Sequence, residues 1–167
     1  GLRSAGIWSD ERDANLLDGG APFYDVYETA DGKFVTIGSL EPQFYALLLE
    51  KTGLKDDPAF AAQMDRPSWA AMGEKVAGVI RTKTRDEWTA LMEGTDVCFA
   101  PVLTWEEAPA HAHNVAREAF TTVEGVIQPA PAPRFSRTPG AVQGPPAPTG
   151  ANAAEILEDW KISARPS

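Results

Sequence analysis

A glutamate followed at once by proline, Glu41-Pro42 in the stretch GSLEPQFY (38–45), is the pair best placed for chemistry in this chain. The residue before a proline is pushed out of the α region, and proline itself suits the first helical position, where its missing N–H would have no partner. Glu41 is therefore expected at the N-cap of a helix or just outside it, where a preceding strand ends. Glutamate is a poorer N-cap than Ser, Thr, Asp or Asn, yet its carboxylate would feel the positive end of the helix. Two readings stay open on these residues. Glu41 is a surface acid in a favourable dipole position, or a carboxylate held at a strand-to-helix junction to do chemistry.

The other candidates are weaker. His111 and His113 are the only histidines, in APAHAHNVAR. Two positions apart they do not share a helix face, and no further Cys or acidic cluster has metal-site spacing. They read as histidines of a loop or helix end that bond locally, with His113 structural in the turn before Phe120. Arg134 and Arg137 flank Phe135 and Ser136 in PAPRFSRTPG and could meet an anionic group; the alternative is a solvated basic loop. Cys98 lies in the apolar run VCFAPVL and is expected to be a buried, inert thiol. Asp25, Asp31, Asp86 and Asp96 read as turn or strand-end acids. No glycine-rich phosphate loop, nucleophile elbow or Ser/His/Asp set occurs, so the chain lacks an acid–base pair of its own.

The elements that must position these residues follow from periodicity. Residues 24–29 and 33–39 read as a β-hairpin, with Asp31-Gly32 as a tight turn whose two positions both take positive φ. A helix begins at Pro42, with Phe44, Leu47 and Leu48 on one face and Gly53 as its stop. A loop covers 54–67. Trp69, Met72, Val76, Val79 and Ile80 mark a second helix. Thr84 and Glu87 form a capping box for a third, with Trp88, Leu91 and Met92 on its face and Gly94 at its end. Residues 97–103 read as a strand with Pro101 near an edge or bend. Thr104 and Glu107 make another capping box over a short helix, and 120–123 with 126–127 form a weaker hairpin across Glu124-Gly125. Seven of the 14 prolines then fall between Pro129 and Pro148, an extended linker texture. It leads to a short amphipathic helix over 152–161, capped by Asn152 and Glu155, with Ile156, Leu157 and Trp160 on one face.

The expected fold class is therefore α/β of an α+β kind: a small mixed sheet of hairpins with several packed helices. Residues 1–20 show little periodicity, 21–138 form the body, and 139–167 are a proline-rich linker and C-terminal helix. At 167 residues with 43% apolar content, one domain with tails can bury a sizeable core. The net charge of −9 and pI of about 4.7 argue against nonspecific nucleic-acid binding, which needs a basic footprint. One cysteine excludes an intrachain disulfide and suits a reducing cytoplasm. No run reaches the ~20 apolar residues of a membrane span. The chain opens at Gly1 in a polar stretch with no signal peptide, so a piece of something longer is expected.

Several blocks, NLLDGGAPFYDVYETADGKFVTIGSLEPQFY, TDVCFAPVLTWEEAPAHAHNVAREAF, QPAPAPRFSRTPG and the closing ILEDW, resemble the family III (CaiB/BaiF-type) CoA-transferases, in the same order over nearly the whole chain. The resemblance is greatest to the α-methylacyl-CoA racemase branch. It implies that this chain is the small domain of such a protein. Residues 1–20 would be a linker from a missing large, Rossmann-like domain, and the second linker and C-terminal tail would follow the body. It further implies an interlocked homodimer, an acyl-CoA thioester as substrate, no covalently bound cofactor, and an active site between the large domain of one subunit and the small domain of the other. In the racemases a His and an Asp of the large domain move the α proton. Neither motif is present here, and His111 and His113 do not take that role. The racemase branch carries a glutamate in the block that reads GSLEPQFY, which implies that Glu41 supports catalysis and that Gly38, Ser39 and Leu40 line the substrate site. Transferase members carry a glycine-rich loop there; this chain has one glycine, Gly38.

Three functions follow as expectations. The first is a racemase fragment, inactive alone, whose parent transfers a proton at Cα of a 2-methylacyl-CoA. The second is a CoA-transferase with an Asp nucleophile in the missing domain. The third is a stand-alone interaction module using the terminal helix. Trp8, Trp105 and Trp160 are expected on surfaces that a partner covers, with self-association to a dimer.

Overall fold

The structure is a computed structural model that describes residues 1–162; residues 163–167, the end of the tail expected over 139–167, lie outside the described residues. Two units divide between Leu103 and Thr104.

In the first unit, strands β1 (Tyr24–Glu28) and β2 (Phe34–Gly38) form the expected antiparallel hairpin. The turn differs from the expectation. Gly32 has φ +71 while Asp31 is not in the left-handed region, and Thr29 N donates to Lys33 O at 2.8 Å to close a three-residue loop. This is the longer hairpin connection that ends in a left-handed glycine. Asp31 is employed elsewhere: its carboxylate accepts from Thr29 Oγ1 at 2.5 Å and from Arg85 N at 3.1 Å.

A third strand, β3 (Phe99–Pro101), pairs with β2 and makes the order β1-β2-β3. It is shorter than the expected 97–103 because Cys98 adopts φ +57, which ends extended pairing on that side. Pro101 is admitted because β3 is an edge strand. Pairing sets Tyr27 opposite Val35 and Asp25 opposite Ile37 on the inner face of the sheet, and Tyr24, Val26, Phe34 and Thr36 on the outer one.

Helix α1 (Pro42–Thr52) stops at Gly53, whose φ is +73. Its buried face is Tyr45, Leu48, Leu49 and Thr52, not the expected Phe44, Leu47 and Leu48. Tyr45 turns the helix. Its ring meets Phe23 edge-on at 5.5 Å, and its hydroxyl donates to Phe60 O at 3.1 Å. Phe44 and Leu47 are left half-buried. Helix α2 (Trp69–Ile80) buries Trp69, Met72, Val76 and Ile80. Helix α3 (Arg85–Met92) has both bonds of the Thr84–Glu87 capping box. Trp88 and Met92 are buried, but Leu91 is 39% exposed. Arg85 takes its place on the inner face and donates from Nη1 to Val102 O at 2.8 Å.

Residues 1–20 form turns without helix or strand. Asn15, 1% exposed, is held by Asp18 through bonds of 2.8 and 2.6 Å.

In the second unit, Thr104 and Glu107 exchange the expected reciprocal bonds at 2.9 and 3.2 Å. The turn they close runs into the 3-10 segment Ala108–Ala110 instead of an α-helix. A short helix not expected from the sequence, α4 (Ala112–Ala116), follows. Strands β4 (Phe120–Val123) and β5 (Val126–Pro129) pair across Glu124 and Gly125, at φ +48 and +83. The two-residue turn with both positions left-handed is thus here, not at Asp31-Gly32. Helix α5 (Ala153–Asp159) closes the described part; Asn152 makes no side-chain cap bond, contrary to the expected cap. Ile156 and Trp160 are 53% and 72% exposed.

Candidate functional site

Glu41 is the N-cap of α1, with φ −73 and ψ 145, the extended geometry that the following proline enforces. Its carbonyl accepts from Phe44 N at 3.0 Å and Tyr45 N at 2.9 Å. Its side chain makes no cap hydrogen bond, and the residue is exposed. The carboxylate therefore stands at the positive end of the helix without being used by it.

The three residues before it fix that position. Gly38 N donates to Cys98 O at 2.8 Å, Ser39 N to Phe23 O at 2.8 Å and Leu40 N to Gly38 O at 2.9 Å. Ser39 is fully buried, and its hydroxyl donates to Val97 O at 2.5 Å. The Ser39 side chain thus faces the interior of the unit. Leu40 is half-buried. A Cβ on Gly38 would meet nothing closer than Cys98 O at 3.6 Å, so this glycine is not imposed by sterics.

Cys98 corrects an expectation: the thiol is exposed, not buried. The left-handed backbone at this position takes the side chain out of strand alternation. Partial burial pushes the thiol pKa up, and the carboxylates of Glu41 and Asp96 push it further. Glu41 and Cys98 are therefore electrostatic neighbours. A cleft of about 390 Å³ opens here, lined by Tyr24, Val26, Thr36, Gly38 and Cys98 among others. Its walls join the apolar side chains of Tyr24, Val26 and Ile37 to the carboxyl-bearing Asp18 and Asp25, and Glu41 lies outside that lining.

The remaining candidates, His111, His113, Arg134 and Arg137, belong to the second unit. His111 is the N-cap of α4 and His113 its second residue, so both lie at a helix end, one of the two expected places. Among the described residues no group of three or more His, Cys, Asp or Glu could hold a metal ion. Arg134 donates from Nη2 to the carbonyls of Arg117 and Glu118. It lines a cavity of about 790 Å³ in the second unit with Asn114, Phe120 and Phe135. That cavity is the larger one, but it contains no acid–base pair. Sequence reasoning missed two members of the Glu41 neighbourhood, Cys98 and Gln63; neither lies in a motif or in register with Glu41.

Comparison with known proteins adds to this geometry. Residues 7–153 match the profile of CoA-transferase family III. The chain is 45% identical to the mouse (Mus musculus) alpha-methylacyl-CoA racemase over 95% of this chain and 42% of the relative. It is 44% identical to the human (Homo sapiens) alpha-methylacyl-CoA racemase over 94% of this chain and 41% of the relative. The chain thus spans about two-fifths of the length of these curated relatives. The crystal structure of a CaiB/BaiF family protein from Brucella suis superposes with a TM-score of 0.66 over 95% of this chain and 42% of that one, at 18% identity. At that identity the likeness concerns the fold.

Proposed function

This chain belongs to CoA-transferase family III, and on that premise we propose that it is the small domain of a longer racemase acting at Cα of a 2-methylacyl-CoA thioester. The observation that carries the reading is the carboxylate of Glu41, exposed at the N-cap of α1 and an electrostatic neighbour of Cys98, which lines a cleft over the strands. The proposal extends to a homodimer of the longer protein in the cytoplasm, with no resident cofactor. Trp105 and Trp160, 89% and 72% exposed, supply apolar surface for that assembly.

The reaction needs little from this chain and needs it in one place. The thioester carbonyl acidifies the α proton. A base removes it, the electron pair moves onto the carbonyl oxygen as an enolate, and an acid returns a proton to either face of Cα. The acid and base belong to the domain outside this chain. Glu41 accepts a hydrogen bond from the acid–base residue and holds it toward Cα. Gly38 and Leu40 border the substrate, while Ser39 acts from inside by tying the loop to Val97.

The experiment is solvent deuterium uptake at Cα of a 2-methylacyl-CoA. The chain alone gives no exchange. In the longer enzyme Glu41→Gln slows exchange about 100-fold, the lower end of what a group assisting proton transfer contributes, with the fold intact. An unchanged rate returns Glu41 to the role of a surface acid. Trapping of a covalent acyl or CoA adduct would instead identify CoA transfer between carboxylates.

A further inference from the structure

The segment between α1 and α2 forms only two 3-10 turns, Pro58–Phe60 and Arg66–Ser68. It sends one side chain under the Glu41 loop. Gln63 donates from Nε2 to Leu40 O at 2.9 Å and to Ser39 O at 3.3 Å, the two carbonyls that directly precede Glu41. One amide nitrogen carries two hydrogens, so it can serve both. The main chain of Gln63 is fixed in turn. Its carbonyl accepts from Trp69 Nε1 at 2.9 Å, and Trp69 meets Phe23 edge-on at 5.8 Å. The Phe23 carbonyl accepts from Ser39 N at 2.8 Å, which closes a ring of contacts around the loop.

We propose that Gln63 is a positioning residue for Glu41: it fixes the peptide planes of Ser39 and Leu40, and so the direction in which the Glu41 carboxylate leaves the N-cap. The geometric claim concerns this chain alone; its catalytic consequence rests on the proposed function. Proton transfer is sensitive to small displacements of the groups involved. A side-chain amide that ties down two consecutive carbonyls removes the softest torsions upstream of the carboxylate.

The test uses Cys98, the only thiol in the chain and one that senses the Glu41 carboxylate. Its titration midpoint is read from alkylation rate against pH in four forms of the chain: wild type, Glu41→Gln, Gln63→Met and the double variant. Glu41→Gln lowers the midpoint by removing a like charge. Gln63→Met, which keeps side-chain length and loses the donor, lowers it too, but adds nothing in the Glu41→Gln background. No shift in Gln63→Met overturns the inference. So does an equal shift in both backgrounds, because that effect would not pass through Glu41. Should Gln63→Met not fold, Gln63→Ala, which admits water to both carbonyls, carries the same comparison. In the longer enzyme Gln63→Met lowers the exchange rate about tenfold when Glu41 is present and leaves it unchanged in the Glu41→Gln background. A Glu41→Gln enzyme that exchanges at the wild-type rate sinks the proposed function and leaves the thiol result standing, so the two failures are distinguishable.

Discussion

The Ser39 hydroxyl donates to the Val97 carbonyl at 2.5 Å, joining residues 58 positions apart at the point where β2 hands over to the Glu41 loop. Both residues are fully buried. The bond ties the end of β2 to the entry of β3, while Gly38 N to Cys98 O secures the next position. The loop that carries Glu41 is therefore anchored from the interior of the sheet.

Ser39→Ala leaves the Val97 carbonyl buried without its donor. A loss of about 1–3 kcal/mol of unfolding free energy is expected, the cost of an orphaned buried acceptor. Urea unfolding of the chain measures it; a loss near zero would mean that water reaches Val97 O.

Two glycines separate packing from site chemistry. A Cβ on Gly20 would lie 2.7 Å from both Asn15 N and Asn15 O and 2.8 Å from Ala14 C, all backbone atoms. Gly20→Ala is expected to destabilise by about 2 kcal/mol or more, as overpacking against a fixed backbone does. Gly38→Ala, with its nearest contact at 3.6 Å, is expected to fold like the parent. Thermal unfolding of the two variants side by side checks the contrast, and equal melting temperatures would refute it.

Cys98 is exposed, so its thiol is expected to react without denaturant. One equivalent of a thiol reagent is expected to add to the native chain. Its left-handed backbone, φ +57, also predicts opposite outcomes for two substitutions. Cys98→Gly keeps the fold, because glycine adopts this conformation freely. Cys98→Val lowers stability by about 1–2 kcal/mol, since a branched Cβ is strained there. Denaturant midpoints distinguish them.

Asp25 gives a pH dependence. Burial raises its pKa, the Asp13 carboxylate adds to the rise, and the Val26 N–H bond opposes it. With the folded pKa above the unfolded one, the carboxyl is neutral in both states at low pH. As pH rises the unfolded chain ionises first, so Asp25 costs stability above the ordinary Asp range. Asp25→Asn is therefore expected to raise the melting temperature near neutral pH, with a gain that shrinks toward pH ~3 as both carboxyls protonate. A gain independent of pH would point to packing instead of charge.

What the sequence determined by itself is what adjacent residues decide between them. Glu41 must cap α1 because Pro42 excludes it from helical torsions. Thr84 and Glu87 cap α3 because three residues bring each within reach of the other's backbone. The period-2 and period-3.6 patterns place the first hairpin and the first three helices, while the resemblance of the ordered blocks points to the family. Tertiary structure decided the rest. The buried face of α1 is rotated because Tyr45 finds Phe23 and Phe60, and Leu91 yields its place to Arg85 because Val102 O lies within reach. Cys98 leaves the interior through one left-handed residue inside an apolar run. Gln63 reaches Leu40 across 23 positions of irregular chain. Such contacts depend on which distant groups arrive, and no local steric or periodic rule encodes that. A carboxylate at a helix N-terminus is legible in the sequence; the groups that hold and face it became visible only when the chain was folded.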